Sequence, residues 1–300
     1  MSGKAFDENA LATVRRAYAR QMLSLVGANP AKAARLEEAF ATVPREKFLG
    51  PSPWRIMRPS YRDLAISDPA LIYQDVLIAL APERGVNNGS PSLHAHWLDA
   101  IELKEGERVA HIGAGTGYYT AIIAHIVGES GHVTAVEYDG DLAEAARRNL
   151  EGYRNVTLIE DDGAKWPREE TDCVYVNFAV ARPAAPWLEQ LSSSGRLIFP
   201  LGVTRSQRAR ARGRLAAYGA AFLISRAPGK DAFIAKWAGQ AFFVYAEGAL
   251  GESEEEREAL IAAFERGGVE LVRSLRWKRP PSPAGSWLIR PDWSLSYEAA

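Results

Sequence analysis

The sequence predicts an α/β fold in which a mostly parallel sheet carries helices on both faces. Two observations predict it. The first is the stretch from Arg108 to Val127, R-V-A-H-I-G-A-G-T-G-Y-Y-T-A-I-I-A-H-I-V, a short apolar strand, a tight glycine turn and an apolar helix. The second is the recurrence of that strand–helix alternation as far as Pro200. Such repetition implies right-handed crossovers and a sheet buried on both faces. The 300 residues, 47% hydrophobic and 24% charged, suffice for one large domain or a domain with an appendage.

Taken in order, Glu8 to Val26 carries Leu11, Val14, Ala17, Tyr18, Met22 and Leu25 at helical spacing, and Ala31 to Phe40 forms a second helix with Pro30 at its start. Val43-Pro44-Arg45 breaks that helix, and Phe48 to Ser60 is proline-rich and irregular. Residues 1–75 therefore read as a helical cover and connecting segment. Val76 to Leu80 has strand character, and the polar loop Arg84 to Ser92 precedes a helix over Leu93 to Ile101. In that loop Asn-Gly favours a turn and Ser92 is a candidate N-cap, while a loop beside a nucleotide site often contacts substrate.

After the glycine turn come a strand over His132 to Glu137, a helix over Asp141 to Glu151 and a strand over Val156 to Ile159. A strand over Asp172 to Phe178, a helix over Ala184 to Leu191, the turn Ser194-Gly195 and a strand over Arg196 to Pro200 follow. Arg205 to Arg214 holds five arginines and no acid, a solvated loop by its pattern. Ala220 to Ser225 and Phe233 to Ala246 suit a closing antiparallel hairpin, which completes a core over 76–250. Residues 251–300 form an α+β extension: a helix capped by Ser253 with acids in its first turn, stopped at Gly267-Gly268, then strands over Val269 to Trp277 and Trp287 to Ile289.

The chemistry gathers at the strand ends. Gly113, Gly115 and Gly117 permit a sharp turn and close approach of backbone to a ligand, and Glu137 ends the next strand where an acid accepts ribose hydroxyls. Tyr118 stands where the dinucleotide G-x-G-x-x-G motif has its last glycine, and no Lys-Ser/Thr follows to make a P-loop. Asp162, with Gly163 and Ala164 behind it, is placed to receive an adenine edge, and Asn177 and Phe178 arrive at the same carboxyl edge. These features fit an adenosine-containing ligand; S-adenosylmethionine, which carries no phosphate, suits backbone groups and acids better than a dinucleotide does.

Composition excludes several classes. A net charge of -1 indicates no globally nucleic-acid-directed surface, and no aromatics interleave the arginine run. The single cysteine, Cys173, allows no intramolecular disulfide and sits in an apolar run. His94 and His96 lie two apart and do not share a helix face, which argues against zinc. No signal-peptide pattern and no uninterrupted apolar run of membrane-spanning length occur, so a cytoplasmic protein is expected.

Collectively, the chain from Leu36 to Ala246 resembles the protein-L-isoaspartate O-methyltransferase family of class I methyltransferases. The resemblance rests on A-F-A-T-V-P-R-E-K-F-L from Ala39, Y-R-D-L-A-I-S-D-P-A-L from Tyr61, L-H-A from Leu93, V-A-H-I-G-A-G-T-G-Y-Y-T-A from Val109, V-T-A-V-E-Y-D from Val133 and W-L-E-Q-L-S-S-S-G-R-L-I-F-P-L-G from Trp187. It implies a Rossmann-like seven-stranded sheet whose last strand, around Phe233 to Ala246, is reversed. It also implies S-adenosyl-L-methionine as cofactor, held by His111, Gly113, Ala114, Gly115, Gly117, Tyr118, Glu137, Tyr138, Asp162, Gly163 and Asn177. The family's Gly-Gln-Thr-Ile-Ser-x-Pro loop is altered: Asn87-Asn88 replace Thr-Ile, and the family's serine falls on Gly89 with Ser90 beside it. Asn87, Asn88 and Ser90 are then the residues that orient an acceptor. The implied acceptor is a peptide or protein carboxylate. A small molecule, or cofactor binding without turnover, are the alternatives; no nucleic acid or membrane partner is implied, and monomer and homodimer stay open.

Overall fold

The structure, a computed structural model, describes residues 7–57, 60–204, 218–227, 232–280 and 283–300. The chain divides into two compact units, one of Met1–Gly106, Ala114–Val133 and Asp139–Leu158, the other of Glu107–Gly113, Thr134–Tyr138 and Ile159–Ala300. The arginine run Arg205 to Arg214 lies outside the described residues.

In the first unit, helices α1 (Glu8–Leu25) and α2 (Pro30–Thr42) pack on each other, α1 also on α3 (Pro91–Ile101), and α2 on α3 and on α4 (Tyr118–Val127). Their apolar stripes do this: Leu11, Tyr18 and Met22 of α1 are buried, as are Ala33, Leu36 and Phe40 of α2. Asp7 caps α1, and Pro30 takes the first position of α2, where its missing N–H costs nothing. Two short antiparallel pairs follow, β1 (Arg55–Met57) with β2 (Tyr61–Asp63), and β3 (Ala79–Ala81) with β4 (Val86–Asn87). The strand expected over Val76 to Leu80 is therefore shorter and later; the carbonyls of Val76 and Leu77 are taken by Arg45 and by the Met57 amide. Helix α5 (Gly140–Asn149) begins one residue before Asp141, which stands in its first turn; the Asp139 carboxylate caps it, accepting from Leu142 N at 3.0 Å.

The second unit is organised on the strands β5 (Arg108–Ile112), β6 (His132–Glu137), β7 (Val156–Glu160), β8 (Thr171–Val176), β9 (Leu191–Val203), β10 (Tyr218–Arg226) and β11 (Phe233–Gln240), with the later β12 (Ser274–Trp277), β13 (Ser286–Ile289) and β14 (Trp293–Ser296). The first residues of β6 and β7 count with the other unit. Together they make one ten-stranded sheet in the order β13-β14-β12-β11-β10-β9-β8-β5-β6-β7. Strands β5, β8 and β9 are parallel; every pairing from β9 outward to β13 is antiparallel. The α/β class stands, with two corrections to the sheet. It is mixed and wider than the seven strands expected, and the strand reversed against the parallel set is Tyr218–Arg226, with Phe233–Gln240 turning back beside it.

Helix α6 (Ala185–Glu189) ends before Leu191, which already begins β9. Helix α7 (Glu254–Arg266) has the expected Ser253 cap, completed as a capping box by Glu256. The core is joined by a row of ring contacts, Phe178–Trp187–Phe199–Phe222–Trp287–Phe264, with centroids between 5.2 and 6.4 Å apart. It runs from the residue after Asn177 into α7, so the C-terminal segment shares one apolar core with β5 and β8. Among the described residues, no helix is long and apolar enough to cross a membrane.

Candidate active site

In the second unit the carboxyl ends of β5, β6, β7 and β8 bring Gly113, Glu137, Tyr138, Asp162, Gly163 and Asn177 to one edge. Backbone bonds fix the edge: Gly113 N donates to Val136 O at 2.8 Å, Asn177 N to Ile112 O at 2.9 Å and Asp161 N to Glu137 O at 3.1 Å. Gly113 has φ +80°, and a Cβ there would stand 2.7 Å from Phe178 Cδ1, so only glycine lets the chain turn at this point. Glu137, the last residue of β6, is buried, while Tyr138 beside it is exposed.

His111 and Asn177 form a buried pair in which Asn177 Nδ2 donates to His111 Nε2 at 2.9 Å. Burial pushes the His111 pKa down to about 3, so the ring is neutral at physiological pH. Asn177 Oδ1, turned away from that bond, is a buried acceptor with no partner among the described residues. A buried acceptor left open is costly unless a ligand donor fills it; the ammonium end of S-adenosylmethionine is such a donor, and Glu137 suits its ribose. The residues present fit the cofactor.

Asp162 and Gly163 are bound into their own surroundings. Asp162 Oδ1 accepts from Ala164 N at 2.9 Å and Oδ2 from Ala249 N at 2.8 Å. Gly163 O accepts from Trp187 Nε1 at 3.0 Å, and a Cβ on Gly163 would lie 2.3 Å from Ile112 Cγ2. Cys173 is fully buried and its pKa is pushed up to about 12 by desolvation, which makes it an inert core residue.

In the first unit, Ala114 and Tyr118 are buried, and Gly115 has φ +57° with nothing within 4 Å of where a Cβ would stand. Gly117, φ +94°, is the N-cap of α4 and lies against Leu150, where a Cβ would meet Cδ1 at 2.8 Å. Open space at Gly115 and tight packing at Gly117 divide the glycine motif between ligand approach and helix seating.

The altered loop is held from beneath by Arg45, which sequence reasoning had passed over. Fully buried, it donates to the carbonyls of Ile72 (2.6 Å), Gln74 (2.9 Å) and Val76 (2.8 Å) and to Asn88 Oδ1 (3.2 Å). Asn88 Oδ1 also accepts from Ile78 N at 3.1 Å, which fixes the orientation of the amide and leaves Nδ2 a buried donor with no partner among the described residues. Asn87 closes a local turn, its Oδ1 accepting from Gly89 N at 2.9 Å. Ser90, rather than Ser92, caps α3, and its hydroxyl donates to Asp75 at 3.0 Å. The Ser90-Pro91 pair carried that signal, since proline favours the first helical position. Gly89, at φ +76°, has no room for the family's serine: a Cβ would lie 2.4 Å from Nε2 of His94, whose ring stacks on Tyr119 at 3.5 Å.

The sequence model of the Protein-L-isoaspartate(D-aspartate) O-methyltransferase (PCMT) family matches residues 21–218. The chain is 31% identical over 247 residues to a protein-L-isoaspartate O-methyltransferase of Thermotoga maritima, covering 80% of this chain and 69% of that one. It is 36% identical over 172 residues to the Methanothrix thermoacetophila protein of the same name, covering 56% of this chain and 74% of that one. A solved protein-L-isoaspartate O-methyltransferase superposes with a TM-score of 0.62 at 26% identity, over 87% of this chain and 72% of the other. With that match spanning the glycine turn, Glu137, Asp162 and Asn177, the chain belongs to the protein-L-isoaspartate(D-aspartate) O-methyltransferase family and is a methyltransferase that uses S-adenosylmethionine.

Proposed function

We propose that the protein methylates a carboxylate in a peptide or protein. The observation that carries this reading is Asn88 Nδ2, a buried donor with no partner among the described residues, on an amide whose oxygen is pinned by Arg45 and Ile78 N. A carboxylate oxygen is the acceptor that satisfies such a donor, and a donor fixed in advance loses little freedom on binding. The acceptor then needs orientation and no general base, which agrees with the chemistry available: His111 is too weakly basic and Cys173 too weakly acidic to serve.

When bound, S-adenosylmethionine would supply a methyl group that its sulfonium makes electrophilic, with S-adenosylhomocysteine as the leaving group. The chain's own residues position the partners. Glu137 receives the ribose hydroxyls, Asn177 Oδ1 the ammonium end, and Asn88 Nδ2 holds the acceptor carboxylate. Asn87 and Ser90 shape the loop, through the Gly89 amide and through Asp75. The acceptor is therefore gripped at residue 88, one position before the family's serine.

Incubation with methyl-labelled cofactor and matched peptides bearing an isoaspartyl, an aspartyl or only a C-terminal carboxylate tests the reading. The expected product is a methyl ester that releases labelled methanol in mild base. Label in base-stable linkage, or transfer to small molecules and to none of the peptides, would overturn it.

A further inference from the structure

The connection from β11 to α7 crosses the ligand edge of the second unit. Ala179 N donates to Val244 O and Ala246 N to Ala179 O, both at 2.9 Å, so this segment is first tied down just after β8. It continues to the turn Gly248–Leu250 at the tip of β7, where Ala249 N donates to Asp162 Oδ2 at 2.8 Å. Gly248, at φ +73°, lies so close that a Cβ on it would stand 2.5 Å from Asp162 Oδ2 and 3.3 Å from Tyr138 Cε2. Leu250 is buried in the core, and the turn closes through Gly251 N to Gly248 O at 3.1 Å. Arg182 secures it from the other side: Nη2 donates to Ala249 O at 2.8 Å and Nη1 to Glu256 Oε1 at 2.5 Å.

We propose that the Gly248–Leu250 turn, held by Arg182, is a strap competing with the cofactor's adenine amino group for the Asp162 carboxylate. Resting on the cofactor reading above, the inference adds what that carboxylate does before a ligand arrives. Oδ1 closes its own turn through Ala164 N, so Oδ2 is the oxygen left for an amino group, and Ala249 N–H already bonds to it. Gly248 lies against both Asp162 and Tyr138, which keeps the Ala249 N–H directed at Oδ2. Apparent affinity is then reduced by the fraction of molecules whose strap is off Asp162. Arg182 sets that fraction because its forked guanidinium ties the Ala249 carbonyl to α7.

The test is calorimetric titration of the full chain with S-adenosylhomocysteine and with its analogue whose purine lacks the exocyclic amino group. Arg182→Gln removes the fork and is expected to bind S-adenosylhomocysteine about tenfold more tightly than the parent, the scale of losing one charge-assisted bond. Binding of the analogue, which has no amino group to offer Asp162, is expected to be equal in the two proteins. Arg182→Lys, which keeps the charge opposite Glu256, is expected to fall between them. Ala249→Pro removes the N–H that holds Oδ2 and is expected to act in the same direction, which keeps the test available should Arg182→Gln fail to fold. Equal or weaker binding of S-adenosylhomocysteine by a folded variant, or a shift of both ligands by one factor, would overturn the strap. A folded parent that binds neither ligand would overturn the cofactor reading itself.

Discussion

Asn88→Asp isolates one atom of the proposed acceptor grip. The variant keeps an oxygen facing Arg45 and Ile78 N, removes the Nδ2 donor and puts an acidic group in its place. Loss of a hydrogen bond to a charged acceptor costs about 1.5–3 kcal/mol, so kcat/KM for the peptide is expected to fall roughly 10- to 100-fold. The Kd for S-adenosylhomocysteine should stay as it was; an equal loss in both would move Asn88 to a structural role. Glu137→Gln is the converse case, expected to weaken S-adenosylhomocysteine by a comparable factor in the same titration, with the circular dichroism spectrum retained. His111 carries a pH signature. Its pKa is about 3 in the fold and near 6.5 in an unfolded chain, so between those values the unfolded state binds the extra proton. Stability from its burial is complete above about pH 6.5 and is lost as pH falls toward 3, with a slope of at most about 1.4 kcal/mol per unit. Urea denaturation at pH 4.5 to 7.5 should show that slope in the parent and a shallower one in His111→Gln. At this scale Glu137 and the glycines were legible because strand ends and glycine turns are local patterns. Arg45 was not: its partners are carbonyls 27 to 31 residues away in irregular chain, which leave no periodic trace.

Among the elements, the β5–α4 unit was read almost to the residue, since apolar runs bounded by glycines have one compact solution. The start of α5 was missed by one residue and that of α3, with its Ser90 cap, by two, because several acids or serines near a helix start compete on paper and only the hydrogen bond decides. Strand β14 was missed altogether: W-S-L-S alternates apolar and polar residues but is only four residues long, and all four are buried, the serines included. Its Ser296 hydroxyl is satisfied by the Gly285 carbonyl at 2.8 Å. Gly163 makes the element-scale prediction. With Ile112 Cγ2 so close to any added Cβ, Gly163→Ala overpacks the junction of β5 and β7 and should destabilise by about 1–3 kcal/mol. A lower urea midpoint with unchanged m-value checks this. An unchanged midpoint would mean that Ile112 yields freely.

For the whole molecule, the α/β class and its ligand edge were legible, whereas the width of the sheet was not. A sequence does not announce that a C-terminal segment will add strands to a sheet already begun some 150 residues earlier; that is decided by which apolar faces remain uncovered. Leu260, Val272, Leu275, Trp287, Leu288 and Leu295 belong to the same core cluster as Ile112, Val174 and Phe199. A chain ended at Gly251 is accordingly expected to be recovered insoluble, or to lose the single cooperative urea transition of the full chain. A soluble fragment that still binds S-adenosylhomocysteine would show the later strands to be dispensable. The strand order has a consequence for assembly as well. Strand β14 lies between β12 and β13, and among the described residues β13 has no other neighbour in the sheet. Strand β13 can therefore join the sheet only through a strand later in the chain, so the outer margin forms either from a ready-made β13–β14 hairpin or after β14 has docked on β12.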